Sequence, residues 1–527
     1  MSGPFDSLDQ VAQVLNTDQV FCLPAKPVKK LVKARQSSQF KFGKKWLSHE
    51  QWSELEKAVQ NNLKIEDLCG RWTWDFSYTG KRDRSGLSVN SAFKHNVYIK
   101  LPTLKEILTV AFDKGLRYGA KCDYENGFRL AKLGPSMRRF GIYQAKGRFY
   151  IDLRVSMGHS ASPKLYQETT STIVQAYKRY AITHLGLRTV PHIWVFLDDT
   201  MILGKTEQET RFLLTEYMKF TEKLGFKIKA SKTVWPTQTI ELLGFMCDLR
   251  TGHTYISKEK RDRYIQSLDL VLQGQFNLKL LQKLAGKLQF TASPMAPMKA
   301  FLPPIYERIS MLDQGIHKKF TPLHLLNLRV WKKFLQTQHR SEIAYTLGRL
   351  PYHPQEIWTD SSTWGMGAYF AQGAWISEAW HNGPKKITRF MVNIAEEPGI
   401  TINALEYAAV LIPLYYLTEG AHRIGHTPLR KRFIRIFCDN KATIFWIQKS
   451  CARSPLPHVL SLIFEGLAFS YGLRFQIEFV RSEDNKLADA LSRARVHKSL
   501  KNERRTHIPW KWLMAKLEKP SSVWKME

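Results

Sequence analysis

The stretch IWVFLDDTMILG, residues 193–204, places two adjacent carboxylates, Asp198 and Asp199, between two apolar runs. The runs 193–197 and 200–203 are short and rich in β-branched and aromatic residues, so they predict two strands joined near the acids. Two carboxylates about 5 Å apart repel by roughly 3 kcal/mol at an effective dielectric constant near 20. A buried pair therefore needs cations, protons or hydrogen-bond donors nearby, whereas a solvated turn, where Asp is common, needs none. Other stretches of the chain have to decide between these interpretations.

The charge balance of the chain indicates a polyanionic partner. The 527 residues include 79 Lys and Arg against 46 Asp and Glu, a formal charge of +33, and 44% are hydrophobic. Lys and Arg release counterions from phosphates, so nucleic acid is the expected partner; an anionic membrane is second, but no long basic amphipathic helix stands out. The six cysteines form no CxxC pair, which argues against a zinc ribbon and a disulfide framework and favours a reducing compartment. The longest apolar run, 407–417, is too short to span a membrane, so we expect a soluble, intracellular protein, cytoplasmic or nuclear.

Composition and apolar spacing divide the chain into segments. Residues 24–46 hold eight Lys and Arg and no acid, which is typical of a flexible arm that binds nucleic acid, directs nuclear import or only solvates the chain. Farther along, apolar residues recur at three- and four-residue steps between basic positions, a pattern that predicts helices with basic faces. The predicted segments are a basic arm (1–46), an α+β unit (47–255), a helical segment (256–345), a second α/β unit (346–495) and a basic tail with three tryptophans (496–527).

Further motifs flank the Asp-Asp pair in a recognisable order. Asp123 follows a short predicted strand, and MGHSASPKLYQ places Gly158 and Pro163 ahead of a helix that starts near Lys164. The stretch KLGFKIKASKT follows the predicted hairpin. In this order and spacing the motifs resemble those of a reverse transcriptase palm, with FLDD in place of the usual aromatic-x-Asp-Asp. The resemblance implies the right-hand fold of fingers, palm and helical thumb, which belongs to the α+β class.

The same resemblance assigns roles to the three acids. In the family, the acids at the positions of Asp123 and Asp198 bridge two metal ions, and the one at Asp199 lies closer to the primer end. Two Mg²⁺ ions, or Mn²⁺ in their place, activate the primer hydroxyl and neutralise the leaving pyrophosphate, and hard cations of this kind prefer carboxylate oxygen. The repulsion between Asp198 and Asp199 would then be converted into metal binding.

Other residues match substrate-binding positions of the family. Phe128 matches the aromatic gate beneath the sugar of the incoming nucleotide, where a ribose 2′-hydroxyl would collide with the ring, so the expected substrates are dNTPs. Gly158 matches the glycine of the substrate-binding turn, and Arg71 matches an arginine that touches the triphosphate. An ordinary core aromatic at 128 and a solvated surface arginine at 71 are the alternatives.

Four more acids occur in separate local settings after the helical segment. Asp360 lies in a predicted strand that turns into a hairpin, Glu406 lies in an apolar helix, Asp439 ends a strand and Asp489 opens a helix. Their order resembles the carboxylates of ribonuclease H, which implies an α/β domain with two Mg²⁺ ions that activate water to cut the RNA of an RNA–DNA hybrid. A surface or helix-capping role is the alternative for each acid alone. Phe479 replaces a His that related domains often carry ten residues before the last Asp, so cleavage could be slow.

Together these motifs identify the chain as resembling a retroelement reverse transcriptase with a C-terminal ribonuclease H domain. The stretch SGLSVNSAF and the run to ADALSR are similar in particular to DIRS-like (tyrosine-recombinase) retrotransposons. The expected partners are an RNA template, a DNA primer, an RNA–DNA hybrid and dNTPs, and the sequence carries no signal for the oligomeric state. The rivals are a domesticated nucleic-acid-binding protein that keeps the fold without catalysis and a palm-type RNA polymerase.

Overall fold

The structure, a computed structural model, divides into two compact units, Met1–Leu243 and Gly244–Glu527. Both contain helices and strands, so the expected α+β class is confirmed. The predicted segment boundaries within and between these units stay predictions. The structure describes residues 2–6, 8–15, 22–23, 25–27, 72–74, 90, 98–125, 127–145, 148–337, 341–342, 352–370, 373–384, 401–450, 452, 454–496, 498–500 and 502–524.

The first unit contains strands and helices whose bounds are as follows. The strands are Ser2–Phe5 (β1), Cys22–Leu23 (β2), Ala25–Pro27 (β3), Trp72–Trp74 (β4), Tyr118–Asp123 (β5), Ile142–Ala145 (β6), Arg148–Ile151 (β7), His192–Phe196 (β8), Asp199–Gly204 (β9), Val234–Thr237 (β10) and Thr239–Leu242 (β11). The helices are Leu8–Leu15 (α1), Leu104–Lys114 (α2), Ser162–Thr183 (α3) and Glu207–Lys223 (α4), with 3₁₀ turns at Gly127–Leu130, Pro135–Phe140 and Ala230–Lys232.

A four-stranded antiparallel sheet in the order β10-β5-β9-β8 carries the predicted Asp-Asp hairpin. Strands β8 and β9 pair directly, which confirms that hairpin, although Leu197 lies in the turn and Asp199 begins the second strand. One face of the sheet packs against α3 and α4 through Cys122, Ile202, Tyr177 and other buried residues. Side chains alternate along a strand, so Asp123 points away from the face that buries Cys122.

Local signals explain where the helices of this unit begin and end. Thr103 accepts from the Glu106 backbone N–H, and the Glu106 side chain accepts from the Thr103 N–H, which forms a capping box at the start of α2. Gly115 ends that helix at φ +64°, a left-handed conformation that favours glycine. Helix α3 has Pro163 in its first turn, where a missing N–H costs nothing.

The second unit contains the remaining elements. Its strands are Phe245–Asp248 (β12), His253–Tyr255 (β13), Ser341–Glu342 (β14), Tyr352–Ser361 (β15), Gly365–Phe370 (β16), Ala374–Ala379 (β17), Phe433–Cys438 (β18), Arg474–Phe479 (β19) and Arg505–Thr506 (β20). Its helices are Lys258–Leu272 (α5), Leu278–Thr291 (α6), Pro303–Asp313 (α7), Pro322–Gln336 (α8), Thr401–Leu417 (α9), Lys441–Lys449 (α10), Pro455–Tyr471 (α11), Lys486–Ser492 (α12) and Trp510–Glu518 (α13). Its 3₁₀ turns are Ala296–Phe301, Trp380–Asn382, Ala421–Ile424, Lys498–Leu500 and Pro520–Val523.

A six-stranded mixed sheet in the order β19-β18-β15-β16-β17-β20 forms the centre of this unit. Strands β15, β16 and β17 form an antiparallel meander, whereas β18 and β19 run parallel to β15. Helix α12 approaches β16 so closely that a Cβ at Gly367 would lie 2.1 Å from the Ala488 carbonyl oxygen. This close packing brings the start of α12 to the middle of the sheet.

One hydrophobic core joins the helices α5–α8 to the sheet and to the C-terminal segment. It contains Leu284 and Trp331 from the helices, Ile436 from the sheet, and Trp524 near the C-terminus. The apolar helix α9 is buried in this core, and no helix within the described residues has the length and apolarity that a membrane span requires.

The segment after residue 496, expected to be a basic tail, is folded over most of its described length. Strand β20 pairs in parallel with β17, and Glu378 accepts hydrogen bonds from the Ile508 backbone N–H (2.7 Å) and from Trp510 Nε1 (2.9 Å). The Trp524 ring centroid lies 4.4 Å from that of Phe301 and 5.2 Å from that of Phe469. Aromatic burial therefore ties this segment to the core of the unit.

Candidate active sites

The structure brings the first three predicted acids together at one end of the β10-β5-β9-β8 sheet. Asp123 is the last residue of β5, and it pairs directly with Asp199, the first residue of β9. Asp198 lies in the turn between β8 and β9, after Leu197, whose φ of +56° is unusual for a residue with a side chain. Residues opposite each other in an antiparallel pair project to the same face, so Asp123 and Asp199 share one face at this edge.

Burial and mutual repulsion shape the electrostatics of this cluster. Asp123 is 5% exposed, and among the described residues its Oδ1 atom receives no hydrogen bond. Burial raises the pKa of Asp198, and the negative charge of Asp123 raises it further. Two lysines offset the repulsion: Lys232 forms an ion pair with Asp123 Oδ2, and Lys121 Nζ lies 3.5 Å from Asp199 Oδ2.

A buried glutamine in α3 fixes the turn that carries Asp198. The Gln167 Nε2 atom donates to the Val195 carbonyl oxygen (2.9 Å), and its Oε1 accepts from the Leu197 backbone N–H (2.6 Å). Gln167 is 5% exposed, and Nε2 also donates to Ser171 Oγ (3.0 Å). One side-chain amide thus holds the backbone on both sides of Phe196, immediately before the acid.

The predicted sugar gate lies beside the same cluster. Phe128, in the 3₁₀ turn Gly127–Leu130, is half-buried, and its ring centroid lies 4.7 Å from that of Tyr166 in α3. Gly127 adopts φ +42°, and a Cβ there would lie 3.7 Å from Asp198 Oδ2. The turn that carries Phe128 therefore passes directly next to the acids.

An ion pair at the residue after Phe128 also restrains this turn. The Arg129 guanidinium pairs with Asp152, a fully buried carboxylate that also accepts from the Arg154 backbone N–H (3.0 Å) and from Ser156 Oγ (3.2 Å). A buried carboxylate with several donors and a cation is a fixed anchor. The turn that carries Phe128 is therefore restrained by ring packing on Tyr166 and by the Arg129–Asp152 ion pair.

Of the other two predicted substrate-binding residues, the structure describes Gly158 but not Arg71. Gly158 is exposed, adopts φ +103°, and its carbonyl oxygen accepts from Asn90 Nδ2 (2.9 Å). Asn90 Oδ1 accepts in turn from the Ser160 backbone N–H (2.7 Å), so one amide holds both sides of the turn. Arg71 lies outside the described residues.

The second set of predicted acids also converges, on the mixed sheet of the second unit. Asp360 lies in β15, Asp439 directly follows the adjacent parallel strand β18, Glu406 projects from α9, and Asp489 lies in the first turn of α12. The negative charges of Asp439 and Asp489 raise the pKa of Asp360, and those of Asp360 and Asp439 raise the pKa of Glu406. The four acids therefore form one electrostatic group.

Two members of this second group are buried. Asp360 and Glu406 are each 4% exposed, and no hydrogen bond reaches Asp360 Oδ2 or Glu406 Oε2 among the described residues. Burial, followed by the charges of neighbouring acids, raises the pKa of Asp360 to about 6 and that of Glu406 to about 9. The fold thus keeps carboxyl oxygens at a position where they lack any compensating donor.

The more exposed acids have polar partners. Ser482 Oγ donates to Asp439 Oδ2 (2.7 Å), and the Arg493 guanidinium lies 3.0 Å from Asp489 Oδ1. Phe479, at the end of β19, is 51% exposed, and Lys441 Nζ lies 5.5 Å from its ring centroid. Phe479 therefore presents near Asp439 a solvent-exposed phenyl ring, which has no atom that could bind a metal ion.

Both clusters have the chemistry that hard divalent cations require. Each consists of carboxylates from different elements, and each includes buried oxygens with no donor: Asp123 Oδ1 in the first, and Asp360 Oδ2 and Glu406 Oε2 in the second. Buried carboxylate oxygens without donors are costly unless a proton or a cation reaches them. The residues present therefore fit Mg²⁺ or Mn²⁺ at both clusters.

Sequence reasoning did not assign Gln167, Lys232 or Cys438, which adjoin the acids. Gln167 and Lys232 lie within MGHSASPKLYQ and KLGFKIKASKT, so the motifs themselves carried a signal. Cys438 directly precedes Asp439, and its Sγ lies within 4.8 Å of carboxylate oxygens of Glu406 and Asp439.

Comparison with known proteins identifies the class of the first unit. Residues 55–247 match the family model described as "Reverse transcriptase (RNA-dependent DNA polymerase)", a range that includes the first acid cluster. The chain therefore carries a reverse transcriptase domain. Its relatives include an enzymatic polyprotein of Cassava vein mosaic virus, 23% identical over 128 residues, which are 24% of this chain and 18% of that polyprotein.

Solved structures similar to this chain include foamy viral protease–reverse transcriptases. The complex with an RNA/DNA hybrid is 15% identical with a TM-score of 0.41, and the match covers 89% of this chain and 60% of that one. The complex with dsDNA is also 15% identical with a TM-score of 0.38, and covers 89% of this chain and 92% of that one. The chain thus spans under a fifth of the viral polyprotein and 60% of the hybrid-bound enzyme.

Proposed function

We propose that this chain is an RNA- and DNA-templated DNA polymerase with ribonuclease H activity on RNA–DNA hybrids, and that it replicates a retroelement of the DIRS-like type. The observation that carries the polymerase proposal is the pairing of Asp123 with Asp199 beside the Asp198 turn, with a buried Asp123 oxygen that has no donor. The match of residues 55–247 to the reverse transcriptase family supports the same reaction.

Asp123, Asp198 and Asp199 would hold two Mg²⁺ ions in the first site. When bound, the ions would lower the pKa of the primer 3′-hydroxyl and neutralise the triphosphate. The chain contributes position: Gln167 fixes the backbone before Asp198, and Lys232 balances the charge of Asp123. Preorganised carboxylates need no rearrangement when substrate arrives, which lowers the barrier to the in-line displacement.

The Phe128 turn would select deoxyribonucleotides. Its ring packs against the Tyr166 ring, and Arg129, the next residue of the turn, forms an ion pair with the buried Asp152, so both contacts restrain the turn. A 2′-hydroxyl placed over this ring would meet carbon atoms and receive no hydrogen bond. The same geometry admits the deoxyribose of a dNTP.

Asp360, Glu406, Asp439 and Asp489 would hold the ions of the nuclease site. The raised pKa values of Asp360 and Glu406 support this proposal, because carboxyls that resist ionisation in the bare protein gain most from a nearby cation. Ser482 orients Asp439, and Arg493 restrains Asp489 at the exposed edge of the site. The mixed sheet and its order are compatible with the ribonuclease H-like fold expected for this region.

Primer extension tests the polymerase proposal. The full chain is incubated with a DNA primer on an RNA template, Mg²⁺ and dNTPs, and Asp198→Asn serves as the inactive control. Extension by the unmutated chain and its loss in Asp198→Asn are the expected results. Tight hybrid binding without extension would favour the domesticated binding protein, and extension with rNTPs would favour an RNA polymerase.

A further inference from the structure

The wall of the second acid cluster contains a thiol that none of the proposed steps uses. Cys438 is the last residue of β18 and is fully buried. Its Sγ atom, an oxygen of Glu406 and an oxygen of Asp439 all lie within 4.8 Å of one another. A sulfur and two carboxylates from two different elements thus face one small volume.

A second observation indicates that this group is suited to a ligand. Glu406 is 4% exposed, and its Oε2 atom has no hydrogen-bond partner among the described residues. The other two members are already oriented, because the Asn440 backbone N–H donates to Cys438 Sγ (3.4 Å) and Ser482 Oγ donates to Asp439 Oδ2 (2.7 Å). A buried, unpartnered carboxylate oxygen beside an oriented thiol and carboxylate is costly unless a proton or a cation compensates it.

The mixture of ligand atoms selects the kind of cation. Mg²⁺ takes oxygen ligands, whereas Zn²⁺ and its softer relative Cd²⁺ take thiolate together with carboxylate. In a tetrahedral site with Zn–S near 2.3 Å and Zn–O near 2.0 Å, ligand atoms lie about 3.5 Å apart. Small side-chain rotations would bring atoms within 4.8 Å to that spacing.

We propose that Cys438, Glu406 and Asp439 form a binding site for a zinc-class divalent cation that overlaps the nuclease carboxylates. An ion held there occupies Glu406 and Asp439, so those residues cannot hold Mg²⁺ and hybrid cleavage stops. The inhibition rests on the proposed ribonuclease H function, whereas the binding does not.

The chain provides its own matched control. Cys122 also lies near the end of a strand, as the next-to-last residue of β5, directly precedes an acid of a carboxylate cluster and is 1% exposed. Within the described part of the chain, however, its sulfur belongs to no group of three convergent ligands. A simple effect of a buried cysteine next to an aspartate would therefore affect Cys122 and Cys438 alike.

Cadmium binding tests the site without any activity measurement. The full chain is titrated with Cd²⁺ by calorimetry, which gives the affinity, and the ultraviolet charge-transfer band of the cadmium–thiolate bond is recorded alongside in the wild type, Cys438→Ser, Cys438→Ala and Cys122→Ser. We expect both Cys438 variants to bind this Cd²⁺ at least tenfold more weakly, and Cys122→Ser to bind it as the wild type does. Equal affinity in the wild type and a folded Cys438 variant would overturn the proposal.

A third variant covers the case in which both Cys438 substitutions unfold the protein. Glu406→Gln keeps the sulfur but removes the unpartnered carboxylate, so its Cd²⁺ affinity should also fall at least tenfold. Thermal unfolding without metal identifies which variants are folded. An unchanged affinity in Glu406→Gln would likewise count against the site.

Hybrid cleavage in Mg²⁺ with added Zn²⁺ separates this inference from the proposed function. Zn²⁺ should inhibit the wild type at a concentration at least tenfold lower than it inhibits Cys438→Ser. If cleavage occurs with equal zinc sensitivity and equal Cd²⁺ affinity in both, the metal site fails and the nuclease stands. If no variant cleaves but Cd²⁺ binding depends on Cys438, the nuclease proposal fails and the metal site stands.

Discussion

Replacing Gln167 by Met should separate the geometry of the Asp198 turn from its charge. Met has nearly the shape of Gln but can neither donate to the Val195 carbonyl nor accept from the Leu197 N–H, so both backbone groups lose their side-chain partner. All three acids remain in place. Any change in catalysis therefore reports the position of Asp198 rather than its chemistry.

The size of the effect follows from these two hydrogen bonds. A buried polar group left without a partner costs about 1–3 kcal/mol, so losing both costs about 2–4 kcal/mol with Leu197 half-buried. Leu197 is also held at φ +56°, a conformation that costs about 1–3 kcal/mol outside glycine. Without the amide, the turn can relax from this conformation, which would move Asp198 and lower the rate of primer extension at least tenfold.

Urea unfolding and single-turnover extension measure the two consequences. Gln175→Met is the matched control, because Gln175 is exposed on the same helix α3. We expect a loss of about 2–4 kcal/mol in unfolding free energy, a slower chemical step and a higher Mg²⁺ requirement in Gln167→Met alone. The reasoning is wrong if Gln167→Met matches Gln175→Met in stability and in Mg²⁺ dependence.

Four further outcomes are expected. Lys232→Met removes the cation beside Asp123, so thermal unfolding without divalent ions should occur at lower temperature, and added Mg²⁺ should raise the midpoint more than in the wild type. Burial raises the pKa of Glu406 from 4.5 to about 9, so the folded chain binds this proton more tightly than the unfolded chain does. With divalent ions removed by a chelator, the unfolding free energy should therefore fall as the pH rises from about 4.5 to about 9, and it should fall less in Glu406→Gln. Phe128→Ala should admit rNTPs in primer extension. Asp439→Asn should abolish hybrid cleavage on a labelled RNA strand and spare DNA synthesis.

Each of these expectations has a result that contradicts it. Equal loss of synthesis and cleavage in Asp439→Asn would mean that the two carboxylate clusters do not act separately. Use of rNTPs by the unmutated chain would remove the role of Phe128. An identical Mg²⁺ response in Lys232→Met, or an identical pH profile in Glu406→Gln, would show that the charges described at those residues do not control stability.

The sequence predicted the two groups of acids because the relevant signals are local or ordered. Short apolar runs around Asp198 predict a hairpin, and the resemblance to a reverse transcriptase palm groups Asp123 with it. The flanking partners could not be predicted, since each depends on tertiary contact: Gln167 reaches Leu197 across 30 residues, and Lys232 reaches Asp123 across 109. Periodicity shows that a residue is buried, but it does not show which backbone group its amide meets.

The C-terminal segment illustrates a second limit. Its composition is basic with three tryptophans, from which the sequence predicts only a basic tail. The structure instead pairs β20 with the sheet and buries Trp524. Whether such a segment packs onto the core depends on aromatic side chains elsewhere in the chain. Here Phe301 and Phe469 form the aromatic pocket that receives Trp524.

The contacts of Trp524 with Phe301 and Phe469 have a consequence for C-terminal truncation of the protein. A fragment trimmed at residue 495 keeps all four acids of the second cluster, yet it lacks the Trp524 ring that packs on Phe301 and Phe469, and it lacks the Ile508 and Trp510 donors to Glu378. Such a fragment should aggregate through its exposed aromatic side chains. A lack of activity in an assay of the fragment would then reflect aggregation rather than the absence of a catalytic site.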